Sequence, residues 1–130
     1  MRSVMIVDDE FDICNTITIF LQKRGFVAHG FTNPTLAFEY FQANAKSIDL
    51  VISDIRMPEM NGYELVKKVT TMQIKTKVVL MSAFKINYLE FSHVFPSIRI
   101  DEFISKPISL RNLLRIIEKL LHLSDSLILR

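Results

Sequence analysis

Four stretches of the sequence set reactive side chains at the ends of apolar runs. "VMIVDDE" (4–10) ends in Asp8, Asp9 and Glu10, and "IDLVISDIRMPEMNG" (48–62) carries Asp54 to its edge before Met57-Pro58 and Gly62. "KVVLMSA" (77–83) delivers Ser82, and "DEFISKP" (101–107) delivers Lys106-Pro107. Crowded carboxylates repel one another and raise each other's pKa unless a cation sits among them. Hard oxygen ligands with positions left for water suit Mg²⁺, which takes only one or two protein carboxylates. A metal and a lysine beside Asp54 would meet the needs of a transferring phosphoryl group: neutralised oxygens and in-line placement. An aspartate can itself be the nucleophile and become an aspartyl-phosphate. Each residue also has a plainer use. Asp54 could form a turn, Asp8 and Asp9 could cap the next helix, Ser82 could merely end a strand, and Lys106 could be a solvated lysine.

What decides between these uses is whether the chain brings the four ends together. Short apolar runs predict strands over 3–8, 48–54 and 77–82, with a weaker edge strand over 26–31 and a last short one over 101–105. Between them, apolar residues near helical spacing predict helices over 10–24 (Phe11, Ile13, Ile17, Phe20 and Leu21), from Asn33-Pro34 to about Asn44, over 62–72 and over 84–94. Gly25 stops the first helix, Asn33 and Pro34 cap and open the second, and Gly62 can take a backbone conformation that other residues resist just where the third begins. Ser109 caps a final amphipathic helix with Leu113, Leu114, Ile117 and Leu121 on its apolar stripe. Strands and helices in alternation call for a parallel sheet covered on both faces, an α/β doubly wound fold. Ligands of such sheets sit beyond the carboxyl ends of the strands, where Asp8, Asp9, Asp54, Ser82 and Lys106 all fall.

Composition narrows the function classes. The 130 residues suffice for one core, so a single domain over 1–123 and a short tail over 124–130 are expected. The net charge of +2 is too small to argue for nucleic-acid binding, so no direct nucleic-acid partner is expected, and no apolar run approaches a membrane span. The N-terminus lacks signal-peptide features, and the single cysteine, Cys14, cannot form an internal disulfide; both fit a cytoplasmic protein. Cys14 reads as a small core residue on the first helix. His29, His93 and His122 show no ligand spacing.

With the motifs "VDD" (7–9), "DIRMPEMNG" (54–62), "MSA" (81–83) and "KP" (106–107) in register with this alternation, the chain resembles the response-regulator receiver domain of two-component signalling, across roughly residues 3 to 122. The resemblance implies a flavodoxin-like five-stranded sheet of order 2-1-3-4-5 and a phosphorylation-dependent switch, not a metabolic enzyme. It makes Asp54 the phosphoacceptor. It gives Mg²⁺ to Asp9, Asp54 and the backbone carbonyl of Arg56, with Asp8 nearby, reaching the metal directly or through water. Ser82 would bond the phosphoryl group, Lys106 would be its cationic partner, and Phe103 matches an aromatic that changes rotamer in many members. The Lys-Pro peptide is expected to be cis. The protein would catalyse only its own phosphorylation and dephosphorylation.

The implied partners are a histidine kinase or histidine phosphotransfer protein as donor, and a downstream protein partner for output. Two other readings keep part of the pattern: a degenerate receiver serving only as an interaction module, and an aspartyl-nucleophile phosphatase. Arg56 stands where such a phosphatase would carry its second acid. The sequence departs from the family between Ser82 and Lys106, where glycine is absent and Pro96 intervenes. Pro96 should stop the fourth helix near Val94. The apolar excess over 84–104 predicts an exposed surface, with a homodimer or partner contact through the 84–121 face.

Overall fold

The computed structural model describes residues 2–73, 75–83 and 98–123. Its strands are β1 (Ser3–Val7), β2 (Val27–Phe31), β3 (Leu50–Asp54), β4 (Lys77–Ser82) and β5 (Glu102–Ser105). Its helices are α1 (Phe11–Lys23), α2 (Pro34–Asn44), α3 (Gly62–Met72) and α4 (Leu110–Leu120), with a 3₁₀ turn at Ala45–Ser47. All strand pairings are parallel, in the order β2-β1-β3-β4-β5. This is the expected doubly wound sheet. The expected helix over 84–94, most of the apolar segment 84–104 and the tail 124–130 lie outside the described residues.

The sheet works by alternation. On the central strands Val4 and Ile6, Leu50 and Ile52, and Val79 and Met81 join Ile17 and Leu21 of α1 and Leu113 and Ile117 of α4 in one core. The intervening Met5, Val7, Val51, Val78 and Leu80 join Ala37 and Phe41 of α2 and Leu65, Val66 and Val69 of α3 in the other. Strands with apolar residues on both faces can only be interior. β2, with His29 and Gly30 exposed, lies at the edge as expected.

Local signals set the helix ends. The amide of Leu36 donates to Asn33 Oδ1 at 3.0 Å, and that of Asn112 to Ser109 Oγ at 3.2 Å, so both foreseen caps form. Gly25 leaves α1 at φ +94°, a conformation that costs glycine little. Asn61 caps α3, its Oδ1 accepting from the Glu64 amide at 2.9 Å. Cys14 is buried in the α1 core, and burial raises its thiol pKa; hydrogen bonding with Thr18 opposes the rise and the charge of Asp8 adds to it. It is core, as its place on α1 suggested. Phe11, counted in the same apolar stripe, is 66% exposed at the first position of the helix.

Candidate functional site

The strand register forms a staircase that gathers the four chain segments. Val7 stands opposite Ser53, Asp54 opposite Met81, and Ser82 opposite Ser105. The Asp8 amide donates to the Phe31 carbonyl at 3.0 Å and the Lys106 amide to the Ser82 carbonyl at 2.7 Å, so hydrogen bonding continues just past the strands. Side chains alternate faces along a strand. Asp8 therefore shares the parity of Val4 and Ile6, Asp54 that of Leu50 and Ile52, and Lys106 that of Ile104. All three belong to the α1/α4 side of the sheet. Ser82, in phase with Val78 and Leu80, enters from the other side.

The three aspartates each offer a carboxylate oxygen, and these oxygens all lie within 4.8 Å of one another. Asp8 is wholly buried and Asp54 is 7% exposed, while Asp9 is exposed. Lys106 Nζ donates to Asp8 Oδ2 at 2.9 Å and lies 3.4 Å from Asp54 Oδ2 and 3.6 Å from Glu10 Oε1. The other oxygen of Asp8 accepts from the Glu10 amide at 2.9 Å, so both are engaged. Asp54 Oδ1 accepts from the Ile55 amide at 3.0 Å.

Burial raises the Asp54 pKa, and the charge of Asp8 adds to it; Lys106 and the Ile55 amide act in the opposite direction without cancelling the rise. For Lys106, burial works against the ammonium, but the hydrogen bond and charge of Asp8, supported by Asp54 and Glu10, outweigh it and hold the pKa above the usual lysine value. The site thus stores a carboxylate that is costly to keep ionised beside a firmly charged ammonium.

Asp9, Glu10, Asp54, Ile55, Arg56, Ser82, Ala83 and Lys106 line one cavity of about 200 Å³. Of the residues singled out from the strand ends, all but Asp8 line this cavity, Asp8 being joined to it through Lys106, and Arg56 lines the same space. Phe103 is different. It is half-buried against the α2/α3 core and does not line the cavity. Glu10 faces Lys106, a role signalled only by its place directly after Asp8-Asp9.

The loop after Asp54 is tightly folded. The Gly62 amide donates to the Ile55 carbonyl at 2.8 Å, and the Ile55 amide also reaches the Met81 carbonyl at 3.1 Å. A Cβ on Gly62 would collide with the Asp54 carbonyl oxygen and lie 2.9 Å from Ile55 Cα. The sequence suggested that Gly62 supplies an unusual backbone conformation. Gly25 is the glycine at positive φ; Gly62 is there because α3 begins almost in contact with the backbone of Asp54. The Lys106-Pro107 peptide is cis.

Clustered carboxylate oxygens at the mouth of a small polar cavity are a hard donor set, and it fits Mg²⁺. Among the described residues no helix is long and apolar enough to cross a membrane.

Residues 4–118 match the family model described as the response regulator receiver domain. The chain is 31% identical over 121 residues to the response regulator receiver protein CpdR of Brucella abortus, covering 93% of this chain and 98% of that protein. It is 32% identical over 114 residues to the response regulator SaeR of Staphylococcus epidermidis, covering 87% of this chain but 47% of SaeR. The chain spans about half the length of several curated relatives it matches. Among solved structures, the response regulator TrrA of Thermotoga maritima, in complex with Mg²⁺-BeF, superposes with a TM-score of 0.79 at 27% identity, covering 92% of this chain and 99% of TrrA. The chemotaxis protein CheY4 of Vibrio cholerae shares the fold, with a TM-score of 0.82 at 24% identity over 92% of this chain and 98% of that one.

Proposed function

Since the chain belongs to the response regulator receiver domains of two-component systems, we propose that it is a signalling switch that accepts a phosphoryl group on Asp54. The donor is a phosphohistidine on a histidine kinase or histidine phosphotransfer protein. The observation that carries this reading is Lys106 Nζ, 2.9 Å from Asp8 and 3.4 Å from Asp54 at the mouth of the cavity. It joins nucleophile, cation and orienting acid in one constellation.

An Asp54 carboxylate oxygen gives an electron pair to phosphorus, the phosphorus–nitrogen bond breaks, and its electrons leave with the imidazole, which takes up a proton. Attack by water on the aspartyl-phosphate later returns inorganic phosphate and resets the switch. Lys106 faces the incoming negative charge, and Asp8 holds Lys106 in place. Ser82 supplies a hydroxyl that can donate to a phosphoryl oxygen. Asp9, Asp54 and the Arg56 carbonyl would hold Mg²⁺. Asp8, with both oxygens engaged, fits contact through water better than direct ligation. Bound Mg²⁺ supplies charge neutralisation on the phosphoryl oxygens.

The protein thus catalyses its own phosphorylation and dephosphorylation and turns over no other substrate. The added charge draws Ser82 and Lys106 inward and shifts a pre-existing equilibrium between inactive and active forms. Phe103, three residues before Lys106 on β5, would change rotamer with that shift, carrying it to the α2/α3 side of the sheet on which it packs. Output passes to a partner protein or to a second copy through the 84–121 face, and the setting is cytoplasmic.

Incubation with Mg²⁺ and acetyl phosphate, followed by intact mass measurement, tests the reading. A single labile phosphoryl adduct is expected, lost in Asp54→Asn and on chelation of the metal. Absence of any adduct would mark an interaction module without phosphoacceptor chemistry, and rapid multiple turnover would mark a phosphatase.

A further inference from the structure

Between Asp54 and Gly62 the chain makes a turn that a glutamate resists. Glu59 sits at φ +70°, and across it the Met60 amide donates to the Pro58 carbonyl at 2.7 Å. A bond from residue i+2 back to residue i around a positive φ is the rarer, strained form of γ-turn. Side chains are uncommon in that conformation, and it persists where the surroundings hold it.

The surroundings here are the start of α2. Glu59 Oε2 accepts from Asn33 Nδ2 at 3.3 Å and from Thr35 Oγ1 at 3.4 Å. Asn33 uses its other carboxamide atom, Oδ1, to cap the helix at Leu36. One side chain thus ends the helix and grips the loop. The glutamate carboxylate also sits at the positive end of the α2 dipole, which favours it. The two ends of the loop are tied elsewhere, by the Ile55 amide to Asp54 Oδ1 and by the Gly62 amide to the Ile55 carbonyl. Ile55 and Arg56, at its beginning, line the acidic cavity.

We infer that Glu59 is a positioning residue for the acidic site: its carboxylate, clasped by Asn33 and Thr35, holds the strained turn and so fixes the Ile55–Arg56 backbone at the cavity. The inference rests on reading that cavity as the Mg²⁺ and phosphoryl site. Glu59 touches neither the metal nor the phosphoryl group; it acts through the loop.

The test compares wild type with Glu59→Ala, Glu59→Gln, Glu59→Gly and Asn33→Asp, by Mg²⁺ titration and by amide exchange at Met60 and Gly62 in metal-free protein. Asn33→Asp retains the capping oxygen but turns a carboxylate toward Glu59. Loss of a supporting contact weakens metal binding, so Glu59→Ala and Asn33→Asp should bind Mg²⁺ about tenfold more weakly, the low end of the usual loss because Glu59 acts only through the loop, and Glu59→Gln within about twofold of wild type. Faster exchange at Met60 should accompany the weaker binding. Glu59→Gly removes strain and clasp together, so its affinity should lie nearer wild type than that of Glu59→Ala. Wild-type affinity and exchange in Glu59→Ala would overturn the role of the clasp. Failure of the underlying functional reading looks different: wild type itself would bind no Mg²⁺, which overturns the metal consequence, while Met60 exchange would still rise in Glu59→Ala.

Discussion

Lys106 and Asp8, 98 positions apart in the chain, form a nearly dry ion pair: Nζ to Oδ2 is 2.9 Å, the carboxylate side chain is fully buried and the lysine side chain is 11% exposed. Burying two charges is costly, and a pair of this kind contributes little net stability, but removing one partner strands the other. Asp8 would be the stranded charge.

Lys106→Ala should therefore destabilise the protein by about 3–5 kcal/mol at neutral pH, the range seen when a buried pair loses one member. Asp8→Asn in the same background should recover part of that loss. Urea denaturation of the two single variants and the double variant measures both effects. Phosphorylation of Lys106→Ala by acetyl phosphate should persist in part, whereas the chemical-shift response to beryllofluoride should largely vanish.

Asp54 carries the opposite kind of signature. Its pKa is raised by burial and by Asp8 above the ordinary value of 3.8. The folded protein therefore holds this proton more tightly than the unfolded chain does. Ionised Asp54 costs stability at all pH values above its folded pKa, and the cost fades as pH falls from there toward 3.8. Asp54→Asn should accordingly stabilise metal-free protein at pH 7 by roughly 1 kcal/mol, as relief of strain at functional sites commonly does. The advantage over wild type should shrink as pH falls through that window. Saturating Mg²⁺ should stabilise wild type more than the variant, since only a ligand of the native state adds stability. Thermal melts at several pH values, with and without Mg²⁺, check each sign.

At Gly62 a single methyl group should be felt in the chemistry. Gly62→Ala places its Cβ against the Asp54 carbonyl and the Ile55 Cα, both backbone, so neither can yield cheaply. A loss of about 1–3 kcal/mol is expected, as for other overpacked sites. Because the strained contact is with Asp54, the proposed phosphoacceptor, the phosphorylation rate should fall as well. A variant that folds with wild-type stability and rate would show the approach to be looser than described.

Ser82 enters the cavity from the opposite side of the sheet to Asp54 and Lys106, and it is 6% exposed. Ser82→Ala should leave phosphorylation of Asp54 in place while reducing the beryllofluoride-induced shift, more mildly than Lys106→Ala does. Equal responses in wild type and both variants would remove the two residues from the coupling. Backbone chemical shifts report this directly.

The sheet and its chemical edge were readable because short runs such as "SVMIV" and "LVIS" have too few residues for helices and too little polarity for an edge. Asn33-Pro34 and Ser109 marked helix starts, since their side chains can satisfy amides that a helix leaves open. Three things were hidden, each for a reason. Phe11 has the right spacing for the α1 stripe, but periodicity does not say which part of a stripe is covered. Gly62 announced that a side chain is excluded, without telling close approach from unusual dihedrals. Glu59 gave no sign at all, because a left-handed turn held by a tertiary clasp needs no glycine in the sequence. Segment 84–97, where the family pattern breaks, lies outside the described residues.

The staircase register also determines which kinds of genetic change the protein can survive. Substitutions within β3 or β4 alter volume at one place and can be compensated by neighbours. A single inserted or deleted codon in either strand is a different event: with a period of two, everything beyond it changes sides. One residue lost between Leu50 and Ser53 would turn Asp54 away from Lys106 and send Ile52 or its replacement to the wrong core. Length variation among descendants of this sequence should therefore collect in the connections between elements and stay out of the strands. A scan of single-residue deletions, scored for phosphorylation, would draw the strand boundaries as sharply as the hydrogen bonds do.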